Sequence, residues 1–143
     1  MASTQPGERI TLRKLIWVGP LTLIATVIAN LVIRTVAVLI FGVPETFQFL
    51  QAPSVIGSTI VFLLAALLVF GLVNRFARRP IRFYRILALV LLCISFLTPI
   101  MALTGQIPAP GMNLSIFWTM IVMHGVSAIV IVGLLTTLAR EQA

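Results

Sequence analysis

Hydrophobic residues run through this chain in four long blocks separated by three short connections. The blocks cover about Leu15 to Phe41, Ser54 to Leu72, Phe83 to Leu103 and Leu114 to Leu138. A helix needs roughly 20 apolar residues to cross the ~30 Å hydrocarbon layer of a bilayer, and each block is of that order. The pattern predicts an all-α membrane protein, a four-helix transmembrane bundle. Short connections make neighbouring helices antiparallel, so the expected order is up-down-up-down. The chain then divides into an N-terminal arm (1–14), the four-helix domain (15–138, with spans 15–41, 54–72, 83–103 and 114–138) and a tail (139–143).

The connections carry their own signals. Residues 1–7 are polar, and a helix is expected to begin near Glu8. Gly19-Pro20 predicts a bend early in the first span, because proline removes a backbone donor. Gly42-Val43-Pro44 ends that span. In the connection that follows, Pro44 and Glu45 suit the first turn of a short helix, and Phe47, Phe49 and Leu50 are expected at the headgroup boundary. Pro80 interrupts a basic cluster and predicts a tight hairpin. Thr98-Pro99 predicts a kink near one end of the third span. The first apolar run is far longer than the 7–15 residues of a signal-peptide core, and it reads as an uncleaved span.

Charge sets orientation. Sixty per cent of the 143 residues are apolar and nine per cent are charged, against about 25% charged in an ordinary soluble domain. Arg9, Arg13, Lys14, Arg75, Arg78, Arg79, Arg82, Arg85 and Arg140 all fall on the side that holds both termini and the hairpin. The other two connections contain only Glu45. The positive-inside rule then places both termini in the cytoplasm and the protein in the cell (inner) membrane. The net charge of +7 is explained by anionic headgroups at Arg75, Arg78, Arg79, Arg82 and Arg85; nucleic acid is excluded as a partner, because these residues flank spans instead of forming a water-exposed basic surface. The single cysteine, Cys93, permits no intramolecular disulfide and is expected to pack inertly near Leu91, Leu92 and Phe96. Small residues such as Gly57, Ala65, Ala66 and Gly71, and Gly125, Ala128 and Gly133, mark where helices can approach closely.

Candidate chemistry lies inside the spans. Thr22, Thr26, Asn30 and Arg34 recur every four residues and form one polar stripe on the first helix. Arg34 precedes Phe41 by seven residues, about 10 Å at 1.5 Å per residue. It is expected either to snorkel outward to Glu45 or to line a polar cavity. His124 sits at similar depth in the fourth span, with Ser127 beside it. With Ser58 and Thr98, these groups define an expected outer-leaflet ligand pocket of Asn30, Arg34, Ser58, Thr98, His124 and Ser127. The alternative is that the same groups merely hydrogen-bond neighbouring helices and hold the bundle together. The inner half of the bundle reads as almost purely aliphatic.

No cofactor is predicted. One histidine, one cysteine and no intramembrane carboxylate fall short of a metal site, and bis-histidine haem would require a second subunit. A Ser-His-acid site lacks its acid, since the only outer acid is Glu45.

The Ala29-Asn30 step, the Arg75-Phe76-Ala77-Arg78-Arg79-Pro80 hairpin, the Leu97-Thr98-Pro99 step and Met123-His124-Gly125-Val126 occur in this order along the chain. That order resembles a family of small bacterial four-span membrane proteins whose domain has no assigned function, over roughly residues 15–140. The resemblance implies a four-helix membrane bundle and carries over no catalytic residue. The leading expectation is a non-enzymatic membrane protein that binds a lipid or another amphiphile. The alternatives are a structural or accessory subunit, as a homo-oligomer or within a larger membrane complex, and a haem- or proton-handling redox or transport component using His124.

Overall fold

The computed structural model describes residues 12–139. The helix start expected near Glu8, Arg9, Arg140 and the rest of the tail after Ala139 lie outside the described residues. A single 3-10 turn, Leu12–Lys14, leads into α1, Leu15–Phe41. At 1.5 Å per residue the 27 residues of α1 reach about 40 Å, more than the hydrocarbon thickness. The helix runs unbroken through Pro20 and stops at Gly42, whose φ of 64° is left-handed, with its N–H on the Ala37 carbonyl. Only glycine takes that conformation without strain, and this is why the chain turns there.

The connection closes back on the bundle through a 3-10 turn, Gln48–Leu50, before α2, Ala52–Phe76. Pro53 sits in the first turn of α2 and Arg75 in the last, where proline and a cation respectively are best tolerated. Pro80 opens α3, Pro80–Ser95. The third apolar passage then breaks at Phe96 and resumes as α4, Leu97–Leu103. Pro99 has no N–H to give to the Ser95 carbonyl, so the break falls one turn before the proline, where the missing bond would have closed. Asn113 caps α5, Leu114–Leu138, by accepting the Ile116 N–H at 2.9 Å.

No strand occurs among the described residues. The helices α1, α2, the α3–α4 pair and α5 are each long and apolar enough to cross a membrane. Their packing forms a ring: α1 lies along α5 and against α2, α2 lies against α3, and α3 and α4 return to α5. Two apolar clusters fill it. At the hairpin end Val18, Leu63, Phe70, Val73, Ile81, Tyr84, Ile131, Leu135 and Ala139 meet. At the loop end Ala37, Val43, Phe47, Leu50, Val55, Ile116, Met120 and Met123 meet. Outside them, residues such as Ile24, Ile28, Leu39, Leu64, Leu68, Leu89 and Ile129 are exposed, as they should be where lipid is the solvent.

The first connection departs from the expectation for it. Phe47 and Leu50 do not lie out at the boundary: they are 4% and 2% exposed and close the loop end of the core. Phe49, on the other side of the turn, is exposed and meets the Phe47 ring edge-on at 5.7 Å. Cys93 also differs, since it faces outward and takes no part in the core.

Candidate functional site

The polar stripe of α1 points into the bundle. Thr22 and Thr26 are fully buried, and each hydroxyl donates to the carbonyl four residues back, Val18 and Thr22, at 2.7 Å. Such bonds spend the hydroxyl proton within its own helix and leave the oxygen only as an acceptor. Thr136 on α5 does the same with Val132 at 2.6 Å.

One turn further along, Asn30 ties three helices together. Its amide nitrogen donates to Thr59 Oγ1 on α2 at 3.1 Å and to Ser127 Oγ on α5 at 2.9 Å. Its carbonyl oxygen accepts from the same Ser127 hydroxyl at 3.1 Å. Thr59 passes its own proton to the Val55 carbonyl at 2.7 Å. Both amide donors are used and the group is 5% exposed. The arrangement is a saturated knot, not an open socket.

Arg34, half-buried, lies one turn beyond. It does reach toward the connection between α1 and α2, where its Nε donates to the Leu50 carbonyl at 2.5 Å. The guanidinium therefore grips the backbone of the turn that carries Phe47 and Leu50 into the core. A carbonyl left bare at this depth would be costly, so the bond accounts both for an arginine inside a span and for a loop folded inward.

His124 is placed differently. Its Nδ1 lies 2.6 Å from the Met120 carbonyl. A carbonyl can only accept, so Nδ1 carries the proton, and in the neutral ring Nε2 is left as an acceptor. The half-buried imidazole sits between Phe62 of α2, at 6.3 Å between ring centres, and Phe96 at the α3–α4 break, at 6.4 Å. Among the described residues Nε2 has no hydrogen-bond partner. Beside it, a Cβ added at Gly125 would meet nothing within 4 Å. α4 packs on α3 and α5 and scarcely touches α2, so the ring lies where α2 and α4 are least closely packed, beside Phe62 and Phe96.

Of the six residues expected to line one pocket, Asn30 and Ser127 are thus bonded to each other. Arg34 serves the loop, and His124 is half-buried beside Phe62 and Phe96. Ser58 is exposed and returns its hydroxyl to the Val55 carbonyl at 3.2 Å, and Thr98 is exposed. The partner of Asn30 on α2 is Thr59. Thr59 shares a helix face with Val55 and Leu63, four residues to either side and both buried, and nothing in the sequence marks that face. Phe62 and Phe96, which frame His124, carried no signal of their own in so apolar a chain.

Elsewhere, an apolar hollow of about 320 Å³ on α1 is lined by Ile28, Leu31, Val32, Thr35 and Val36. At the hairpin, Arg75, Arg78, Arg79, Arg82 and Arg85 are all exposed. Arg75 lies over the Phe76 ring at 5.6 Å, and Arg85 Nη2 donates to Thr136 Oγ1 at 3.2 Å. The hairpin end is therefore less purely aliphatic than its sequence reads. Tyr84 adds to this by donating to the Ala66 carbonyl at 3.3 Å. Among the described residues no three His, Cys, Asp or Glu side chains come together as metal ligands would.

Four apolar membrane-length helices with a polar interior of threonine, asparagine, serine and one histidine define the class: a small multi-pass integral membrane protein. Within that class, the chain belongs to the family of unknown function DUF6069, which matches residues 10–141. No curated protein and no solved structure matches the chain.

Proposed function

We propose that this protein binds a membrane amphiphile at the half-open face beside His124, in a bundle oriented with both termini and the arginine hairpin in the cytoplasm of the cell that carries it. The orientation rests on the positive-inside rule, since the hairpin holds five arginines and the connections at the other end hold none. Alternating helix direction is supported by the two core clusters: residues early in α1 meet residues late in α2 and α5, and residues late in α1 meet residues early in both. His124 then lies in the outer half of the membrane, and Arg75, Arg78, Arg79, Arg82 and Arg85 meet anionic headgroups of the inner leaflet.

The single observation that carries the ligand reading is the unpartnered Nε2 of His124. Asn30, Thr59 and Ser127 satisfy one another, and Arg34 is engaged by Leu50. His124 holds an unpartnered ring nitrogen beside two phenyl rings, and a side chain added at the neighbouring Gly125 would meet nothing within 4 Å. A polar atom directed toward hydrocarbon is costly unless something bonds it. The original six-residue pocket contracts to this one polar contact, with Asn30, Arg34 and Ser127 acting as its scaffold.

Lipid extraction and native mass spectrometry of protein purified in mild detergent test the reading. The expected result is a small amphiphile retained by the wild type and lost from Gly125→Leu, whose side chain fills the opening, while both proteins remain folded. Identical lipid content in the two would refute it. The saturation of the Asn30 knot favours a second reading, a purely structural accessory bundle. It predicts no retained ligand in either protein.

A further inference from the structure

We infer that the amphiphile at His124 carries its hydrogen-bond donor on a flat ring, so that the ligand class is a lipid-soluble phenol or ring alcohol and not a phospholipid. This rests on the amphiphile-binding reading above and narrows it.

The donor requirement comes from the tautomer. The Met120 carbonyl, 2.6 Å away, fixes the proton on Nδ1, so Nε2 offers a lone pair and needs an O–H or N–H opposite. Hydrocarbon tails have no such group, and a phosphodiester headgroup lies at the wrong depth. His124 is ten residues into α5 from Leu114, about 15 Å along the axis. A neutral hydroxyl on an otherwise apolar body reaches that depth without carrying a charge there.

The ring requirement comes from the walls. The imidazole makes an edge-on contact with Phe62, at 69° between planes, and a tilted one with Phe96, at 60°. An acceptor with two phenyl groups beside it suits an aromatic or flat alicyclic ring, which gains from offset or edge-to-face contact. Ser58 and Thr98, both exposed, are side-chain hydroxyls in the same half of α2 and in α4. Neither is needed for the bond to Nε2.

The chain contains one histidine, so ¹⁵N-histidine labelling gives one pair of ring signals in nanodiscs or detergent. The probes are a long-chain alkylphenol and its methyl ether, equal in shape but differing in the donor. The phenol is expected to move the Nε2 resonance and leave Nδ1 nearly in place. The ether is expected to bind about tenfold more weakly, the equivalent of about 1.4 kcal/mol for one hydrogen bond, and to leave Nε2 unmoved. His124→Phe should bind both probes alike. Equal affinity of the wild type for phenol and ether, or a phenol that binds without moving Nε2, overturns this inference while leaving amphiphile binding intact. Failure of both probes to bind, with no lipid retained on purification, overturns the two together. The comparison of probes is made on the wild-type protein, so it stands even if His124→Phe fails to fold.

Discussion

Replacing Asn30 with leucine removes a side chain that hydrogen-bonds α1 to both α2 and α5. The structure sets the size of the loss. Asn30 and Ser127 exchange two hydrogen bonds, at 2.9 and 3.1 Å, and Asn30 and Thr59 share one at 3.1 Å. Interhelical hydrogen bonds in membranes average about 0.6 kcal/mol each, because helices that have come apart in the bilayer find other partners. Three of them amount to about 1.8 kcal/mol, or roughly a twentyfold shift in the unfolding equilibrium. Asn30→Leu should lose that much in reversible unfolding by a denaturing detergent in mixed micelles. Ser127→Ala should lose about 1.2 kcal/mol, the value of its two bonds. The Asn30→Leu/Ser127→Ala double variant should lose little more than Asn30→Leu alone, with a coupling energy near 1 kcal/mol, since both singles remove the same pair of bonds. Strictly additive losses, or an Asn30→Leu protein as stable as the wild type, would refute the claim that this knot fastens the bundle.

Three further outcomes are expected. Arg34→Leu frees the Leu50 carbonyl, and a cysteine at Thr46, tested in a Cys93→Ser background, should react faster with a water-soluble thiol reagent than it does with Arg34 present. Phe47→Ala empties a site 4% exposed at the loop end of the core and should cost about 3 kcal/mol by analogy with buried phenylalanines elsewhere; Phe49→Ala, on the exposed side of the same turn, should cost well under half of that in the same unfolding assay. Single cysteines at Arg79 and Gln106, again without Cys93, should be labelled from opposite sides of intact cells, with the Arg79 position protected from an impermeant reagent and the Gln106 position reactive. Labelling of both from one side would overturn the proposed topology.

The number and length of the helices were plain in the sequence for a physical reason. Lipid dissolves apolar side chains on every face, so run length alone marks a span, whatever each residue packs against. The same fact hid rotational phase. In α2, Ser58 and Thr59 are adjacent hydroxyl residues in a largely apolar helix, and no polar face distinguishes the one that meets Asn30 from the one that faces out. In α1 the phase was legible, because Thr22, Thr26, Asn30 and Arg34 are polar at a four-residue interval. The connection at 42–51 was misjudged because Phe47 and Leu50 suit the headgroup boundary and a core equally well by composition. What decides between them is the Arg34 bond to Leu50, sixteen residues away in the chain. The break at Phe96 was legible only as a kink at Thr98-Pro99, since proline acts on the carbonyl four residues before it.

The same energetics explain why the opening lies where it does. Between helices in lipid, apolar contact carries no hydrophobic driving force, so close packing and polar fastenings decide which helices stay together. α1, α2 and α5 are fastened midway by Asn30, Thr59 and Ser127. Among the described residues, the polar fastenings of the third passage to other helices lie at its hairpin end, where Tyr84 donates to Ala66 and stacks edge-on against Phe70 at 4.8 Å, and Arg85 reaches Thr136. Beyond Phe96 the helix has lost a backbone bond to Pro99, and α4 rests on α5 through apolar contact, with Pro99 and Ala102 its buried residues. A bundle stitched in this way parts most readily along the seam between α2 and α4. His124 lies on that seam, and among the described residues its Nε2 is left there without a hydrogen-bond partner.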